Sequence, residues 1–303
     1  MRFRYSQCLL AAFSFVCFQS CQSKDDAEQA ETISYATAST TTVTSAQALA
    51  KHFGPIIRGA WVNANYLALL QQTKSPLIAY DSTGYISEII INPTAISGDS
   101  LVAGVGYGNH EGGDLTIYFR AGQQTNTLST NHHEYESPGS YAELGYRLSA
   151  SDTMLVLNTF NKQKQLIAHA TYRRIRNGKL DQLDNLTLAA NQLLMAGNYV
   201  GVDSLQRPTH LQFTADRRVI GWSSIKTYEV NTDFGAGPGN EIDHLIVKGS
   251  NKLDRVIHFQ FRADTLRLYN AAMVVTKQHA GTDDEIVDER LTRGKLLFTL
   301  VRR

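Results

Sequence analysis

From about residue 86 to its C-terminus the chain is written in short runs of alternating character: 86–91 (ISEIII), 115–119 (LTIYF), 153–157 (TMLVL), 256–261 (VIHFQF) and 296–301 (LLFTLV). They are rich in β-branched and aromatic residues and are bounded by Gly, Asn and Asp. A period of two broken by turn residues is the mark of half-buried strands. Frequent Gly turns and only six prolines suit an antiparallel sheet. Two stretches read differently. Residues 65–73 (NYLALLQQT) have helical spacing and a stop at Pro76, and residues 183–196 (LDNLTLAANQLLMA) form an amphipathic segment. The expected class is all-β with short helical segments.

The body also repeats itself. Arg58-Gly-Ala-Trp61-Val opens one half and Ala196-Gly-Asn-Tyr199-Val the other. The run 152–157 (DTMLVL) matches 264–269 (DTLRLY), and 170–175 (ATYRRI) matches 298–303 (FTLVRR). Gly59 to Arg174 spans 115 positions (174 − 59) and Gly197 to Arg302 spans 105 (302 − 197). Each unit is long enough for one small barrel.

A Gly-x-Trp on the first strand with an Arg near the end of the last resembles the lipocalin, or wider calycin, pattern. The resemblance implies two tandem antiparallel up-and-down barrels. It casts Gly59, Trp61 and Arg174, and then Gly197, Tyr199 and Arg302, as the residues that close each barrel. Tyr199 departs from the pattern by replacing the Trp. In such barrels the Arg lies across the ring, and a desolvated guanidinium over an aromatic face contributes about 1–2 kcal/mol. Alternation points Tyr172, Ala170, Ala168 and Leu166 inward with Arg174, and Leu300, Phe298 and Leu296 inward with Arg302. The resemblance also suggests that the helix after Trp61 covers one mouth of the first barrel.

The N-terminus carries a different message. Arg2 and Arg4 precede an apolar run of eleven, 8–18 (CLLAAFSFVCF), which suits an export signal and is short of the ~20 residues of a membrane span. All three cysteines, Cys8, Cys17 and Cys21, lie in or just after this run, so the body must be held by a core and not by disulfides. Phe18-Gln19-Ser20-Cys21 resembles a bacterial lipoprotein signal, although Phe18 replaces the usual aliphatic residue. Ser23-Lys24-Asp25-Asp26 resembles the export tag of surface lipoproteins of the Bacteroidetes. The resemblance makes Cys21 the acylated residue, and several acyl chains at ~0.8 kcal/mol per methylene anchor a chain durably. The expected organisation is a signal peptide at 1–20 and a lipidated, disordered tether at 21–51. A first barrel at 52–178, a helical linker at 179–196 and a second barrel at 197–303 follow. The expected address is the cell envelope, on the outer membrane. Loss of Arg2 and Arg4 takes 29 basic residues to 27 against 28 acidic ones, which is no electrostatic footprint for nucleic acid.

Chemistry-bearing clusters are few. Asn131-His-His-Glu-Tyr-Glu136, with His110-Glu111 in the loop 106–114 (GYGNHEGGD), offers imidazoles and carboxylates of the kind that zinc, nickel or copper take. The candidate ligands are His110, His132, His133 and Glu134, set against a solvated loop; no HExxH spacing is present. Gly235-Ala-Gly-Pro-Gly-Asn240 lacks the Lys-Ser/Thr of a phosphate loop. Asp243 and His244 with Ser223 or Ser224 lack a nucleophile elbow. Acidic residues 283–285 and 288–290 (DER) read as a solvated loop in a longer final hairpin. No cofactor is expected. Three functions stay open. One is an anchored protein that holds a small hydrophobic or amphipathic ligand, with Tyr66, Tyr107 and Tyr118 as polar groups at the mouth. Another is a non-enzymatic interaction module with filled barrels, and the last is a metal-dependent enzyme at His132, His133 and Glu134.

Overall fold

In a computed structural model the described residues are 45–108, 110–148, 152–235, 241–249, 254–279 and 285–303. The expected export signal, Cys21 and most of the expected tether fall outside them. The described residues begin with helix α1 (Ser45–Ile57), which starts seven residues before the body expected from His52. Ala46, Leu49, Ala50, Phe53 and Ile57 recur at helical spacing and pack on the first core. Two of the five are alanines in a polar stretch, too weak a stripe to read as a helix without the surface it covers.

The first sheet is a closed, eight-stranded antiparallel barrel. Its strands are β1 (Gly59–Asn63), β2 (Ile86–Ile91), β4 (Ser100–Tyr107), β5 (Glu111–Ala121), β6 (Thr127–Thr130), β7 (Tyr141–Leu148), β8 (Thr153–Phe160) and β9 (Leu166–Arg174), with the two-residue β3 (Ile96–Ser97) appended to β4. β1 pairs with β9, and β2 reaches past β3 to pair with β4, which closes the ring. The loop expected at 106–114 is mostly strand, because β4 and β5 pair out to Tyr107 and Glu111. Inward side chains Trp61, Ile89, Ile91, Leu101, Val105, Ile117, Phe119, Leu144, Leu155 and Tyr172 form the core. β2 is buried on both faces, its polar Ser87 and Glu88 included.

Two helices leave the barrel after β1. Asn63 caps α2 (Ala64–Thr73) by accepting from the N–H groups of Asn65 and Tyr66, and Lys74 ends it in a left-handed turn. α3 (Pro76–Ala79) follows, capped by Ser75. Contrary to expectation α2 does not cover the mouth of the first barrel. Its Tyr66, Leu67 and Leu70 join Leu194, Met195 and Tyr199 in the core of the C-terminal half. The expected linker helix is α4 (Asn185–Ala190), continued by one wider turn at Asn191–Met195.

The second sheet has eight antiparallel strands: β10 (Gly197–Asp203), β11 (Pro208–Phe213), β12 (Val219–Ile220), β13 (Thr227–Val230), β14 (His244–Lys248), β15 (Asp254–Arg262), β16 (Thr265–His279) and β17 (Glu285–Arg302). Their order is β12-β11-β10-β17-β16-β15-β14-β13, and the two edges meet at one bridge, Arg218 to Thr227. This sheet is open where two closed barrels were expected. Glu285 and residues 288–290 do not form a loop, because β16 and β17 pair from Thr265 out to His279 and Glu285. Asp283 and Asp284 lie outside the described residues.

Candidate functional site

One end of the barrel is sealed. Trp61 and Arg174 are directly opposed on β1 and β9, and the guanidinium carbon lies 4.6 Å from the centre of the Trp61 ring. Trp61 Nε1 donates to the Ile57 carbonyl at 2.8 Å, and Arg174 Nη2 donates to the Ile56 carbonyl at 2.6 Å. The last turn of α1 is thereby tied over the end. Gly59 makes this possible: its φ is 150°, and a Cβ there would lie 3.1 Å from Arg174 Nε.

The C-terminal half carries a parallel construction. Tyr199 and Arg302 are opposed on β10 and β17, with the guanidinium 5.5 Å from the ring centre. Tyr199 Oη donates to the Met195 carbonyl at 3.0 Å, and Arg302 Nη2 donates to the Leu194 carbonyl at 2.6 Å. In both halves the ring reaches the carbonyl four residues before it and the Arg reaches the one before that. These six residues hold structure.

The other end of the barrel is open. Tyr172, in line with Arg174, crosses the interior, and its hydroxyl donates to the Ile86 carbonyl at 3.2 Å. Asn63, Leu157, Thr159, Ala168 and Ala170 lie around it in a recess of about 130 Å³. Next to this recess is a cavity of about 500 Å³ lined by Tyr85, Tyr107, Asp114, Leu115 and residues 131–136. The small inward side chains of β9 leave the space, and the 131–136 segment forms one wall. That segment is pinned where Ser140 Oγ accepts from the Glu134 N–H at 2.8 Å.

Three rings form a second wall. Tyr85 lies 4.9 Å from Tyr107 and 6.0 Å from His132, between ring centres. The Tyr107 ring rests on Gly113, where a Cβ would lie 2.5 Å from it. Tyr85 and Tyr135 are 66 % and 94 % exposed, so their rings stand free at the opening. Burial pushes His132 below the ordinary imidazole value, against the opposing pull of Glu134, whose carboxyl is 3.9 Å away. Asp114, Glu134 and Glu136 line the cavity, and among the described residues no Lys or Arg does.

Of the residues singled out in the sequence, Tyr107, His132, His133 and Glu134 come together here. His110 does not. It sits at the β4–β5 turn with Nδ1 3.0 Å from Asp233, whose carboxylate raises its pKa. Among the described residues no group of three or more His, Cys, Asp or Glu is placed to hold a metal ion. Tyr66 is wholly buried between α2 and the second sheet, far from any mouth, because the helix carries it out of the barrel. Tyr118 alternates with inward Ile117 and Phe119, so it faces outward, under Arg120. Asp243 accepts from the Leu77 N–H at 2.9 Å, His244 Nδ1 faces the Ile242 carbonyl, and both Ser223 and Ser224 are exposed, so no hydrolase triad forms. Gly235 begins the run to Asn240, and its other residues lie outside the described ones.

Tyr85, Tyr135 and Tyr172 were not singled out as site residues. Tyr135 stood within the quoted 131–136 cluster and Tyr172 had inward parity with Arg174, whereas Tyr85 had no signal. Fold and site define an antiparallel up-and-down barrel, sealed by a helix at one end and open at the other, consistent with a lipocalin-like fold. Comparison with protein-family models, with curated proteins and with solved structures gives no match.

Proposed function

We propose that the protein is an envelope-anchored binding protein that holds a small amphipathic ligand in the mouth of its first barrel. The observation that carries this reading is the cavity of about 500 Å³ at the open end of a closed barrel, next to the recess lined by Tyr172. A concave site with apolar walls and a few polar groups is the usual form of a small-molecule pocket. Leu115, Leu157 and Ala170 supply the apolar surface, and Tyr107, Asn131, His132 and Glu134 the polar rim. The depth below Tyr172 is filled, so the ligand is held at the mouth and does not run the length of the barrel.

The test is native mass spectrometry of residues 45–303 after incubation with a bacterial lipid extract. The expected result is an adduct that disappears on denaturation and is absent from Ala170→Phe, which fills the recess. A wild-type chain that stays bare would overturn the reading. It would favour instead an interaction module, for which the outer part of the β16–β17 hairpin, with Met273, Val274 and Val275 each roughly half exposed, supplies the surface.

The anchor and the duplication belong to the same proposal. Cys21 at the end of the export signal is the lipid attachment site. Cys21→Ser should move the protein from the membrane to the soluble fraction, and retention at the membrane would count against the anchor. The second unit is read as a diverged copy of the first. The matched ring–Arg closures support this, as do backbone bonds from Val219 N–H to the Lys226 carbonyl and from Tyr228 N–H to the Arg217 carbonyl across the sheet's open edge.

A further inference from the structure

We infer that the mouth selects a ligand whose exposed end is an organic cation, a primary or quaternary ammonium. This rests on the reading of the mouth as a ligand site and adds the sign and chemistry of what enters it. Asp114, Glu134 and Glu136 are among the residues that line the cavity, and no Lys or Arg among the described residues lines it to offset them. Such a lining attracts positive charge and repels a fatty-acid carboxylate or a phosphate.

The aromatic wall points the same way. An aromatic face carries negative quadrupole density and draws a cation to within about 6 Å of its centre. Tyr85 sits at the middle of the Tyr107–Tyr85–His132 wall with its ring two-thirds exposed, and Tyr135 stands almost wholly exposed at the same opening. Rings left uncovered on a soluble surface lose apolar burial, whereas around an ammonium group they act as a cage. His132 is held neutral by burial at neutral pH, so it does not cancel the charge of Glu134 beside it. The apolar recess toward Ala170 and Tyr172 lies next to the cage, where a short alkyl tail on the same ligand would rest.

The experiment compares three probes by isothermal titration calorimetry on residues 45–303, each below its micelle concentration: decyltrimethylammonium, octyl glucoside and decanoate. Decyltrimethylammonium should bind at least about tenfold more tightly than decanoate, with octyl glucoside between them, and raised salt should narrow the gap. The double variant Glu134→Gln/Glu136→Gln should remove most of the difference between decyltrimethylammonium and decanoate. Tyr85→Leu should weaken the ammonium probe about threefold to fivefold. Equal binding of all three, or tighter binding of decanoate, would overturn cation selection and leave the mouth as a binding site. No binding of any probe to a chain shown by its melt to be folded would overturn the binding reading as well.

Discussion

At the scale of single residues, the sealed end of the barrel depends on one planar cation. Arg174 stacks on Trp61 and bonds the Ile56 carbonyl with the same guanidinium, so one side chain joins β9, β1 and α1. Lys has neither the plane nor the forked donors to do both. Arg174→Ala should lower stability by roughly 1–2 kcal/mol, the combined size of a partly exposed cation–π contact and one hydrogen bond. Arg174→Lys should recover less than half of that. Urea unfolding of the three proteins checks both statements, and an alanine variant as stable as wild type would show that the stack is incidental.

At the scale of elements, the consequential contact is that of α4 on the outer face of β2. Glu88 points out of the barrel, yet it is only 2 % exposed because α4 covers it. Its Oε2 accepts from the Asn185 N–H at 2.9 Å. Burial raises its pKa from 4.5 to about 7, against the hydrogen bonds from Asn185. The folded chain therefore keeps a proton that the unfolded chain has lost between those pH values. Stability from this group is full below pH 4.5 and falls as the pH rises through 7, by up to roughly 3 kcal/mol. His132, His244 and His258, pushed down by burial, act oppositely and cost stability as the pH falls through the imidazole range. The difference between wild type and Glu88→Gln isolates the carboxyl. The variant should gain stability relative to wild type from pH 5 to 8.5 in chemical denaturation, and a constant difference across that range would refute the assignment.

At the scale of the whole molecule, the first barrel has its own core, but the core of the second sheet is built partly from residues of the first half. Val62, Tyr66, Leu67, Leu70 and Ala79 from the first half pack with Leu211, Phe213, Val230 and Leu268 of the second. Thr187 and Thr232 exchange a hydrogen bond, Asn191 accepts from the Val230 N–H, and Arg217 pairs with Asp184. Residues 197–303 alone would expose the face that α2 and α4 cover, at a cost of about 25 cal/mol per Å² of apolar surface. Residues 45–303 should unfold in one cooperative transition, whereas 197–303 alone should lack a dispersed amide spectrum. A well-folded C-terminal fragment would show that the shared core is dispensable.

Much of the strand content was legible because period-two alternation is a local property. The pairing of Trp61 with Arg174 and of Tyr199 with Arg302 was implied by the resemblance to the lipocalin pattern, and parity added that both arginines lie on the inward face of their strands. Helix α1 was not, since its thin stripe of Ala46, Leu49 and Ala50 becomes an apolar face only against a barrel end. Tyr66 and Tyr118 were misplaced for related reasons: a tyrosine's type does not say where its helix travels or which parity its strand adopts. The mouth was half visible. His132, His133 and Glu134 stood out as a cluster, but Tyr85 and Tyr172 come from strands or turns 38 (172 − 134) or more residues away, and only ring closure brings them there. The sequence by itself determined a β-rich body and, at the end of each half, an arginine on the inward face of the last strand, through spacing along single strands. Only the tertiary structure decided that one barrel closes, that the second sheet stays open, and that α2 serves the other half. Those outcomes depend on which distant surfaces meet, and no local pattern encodes that.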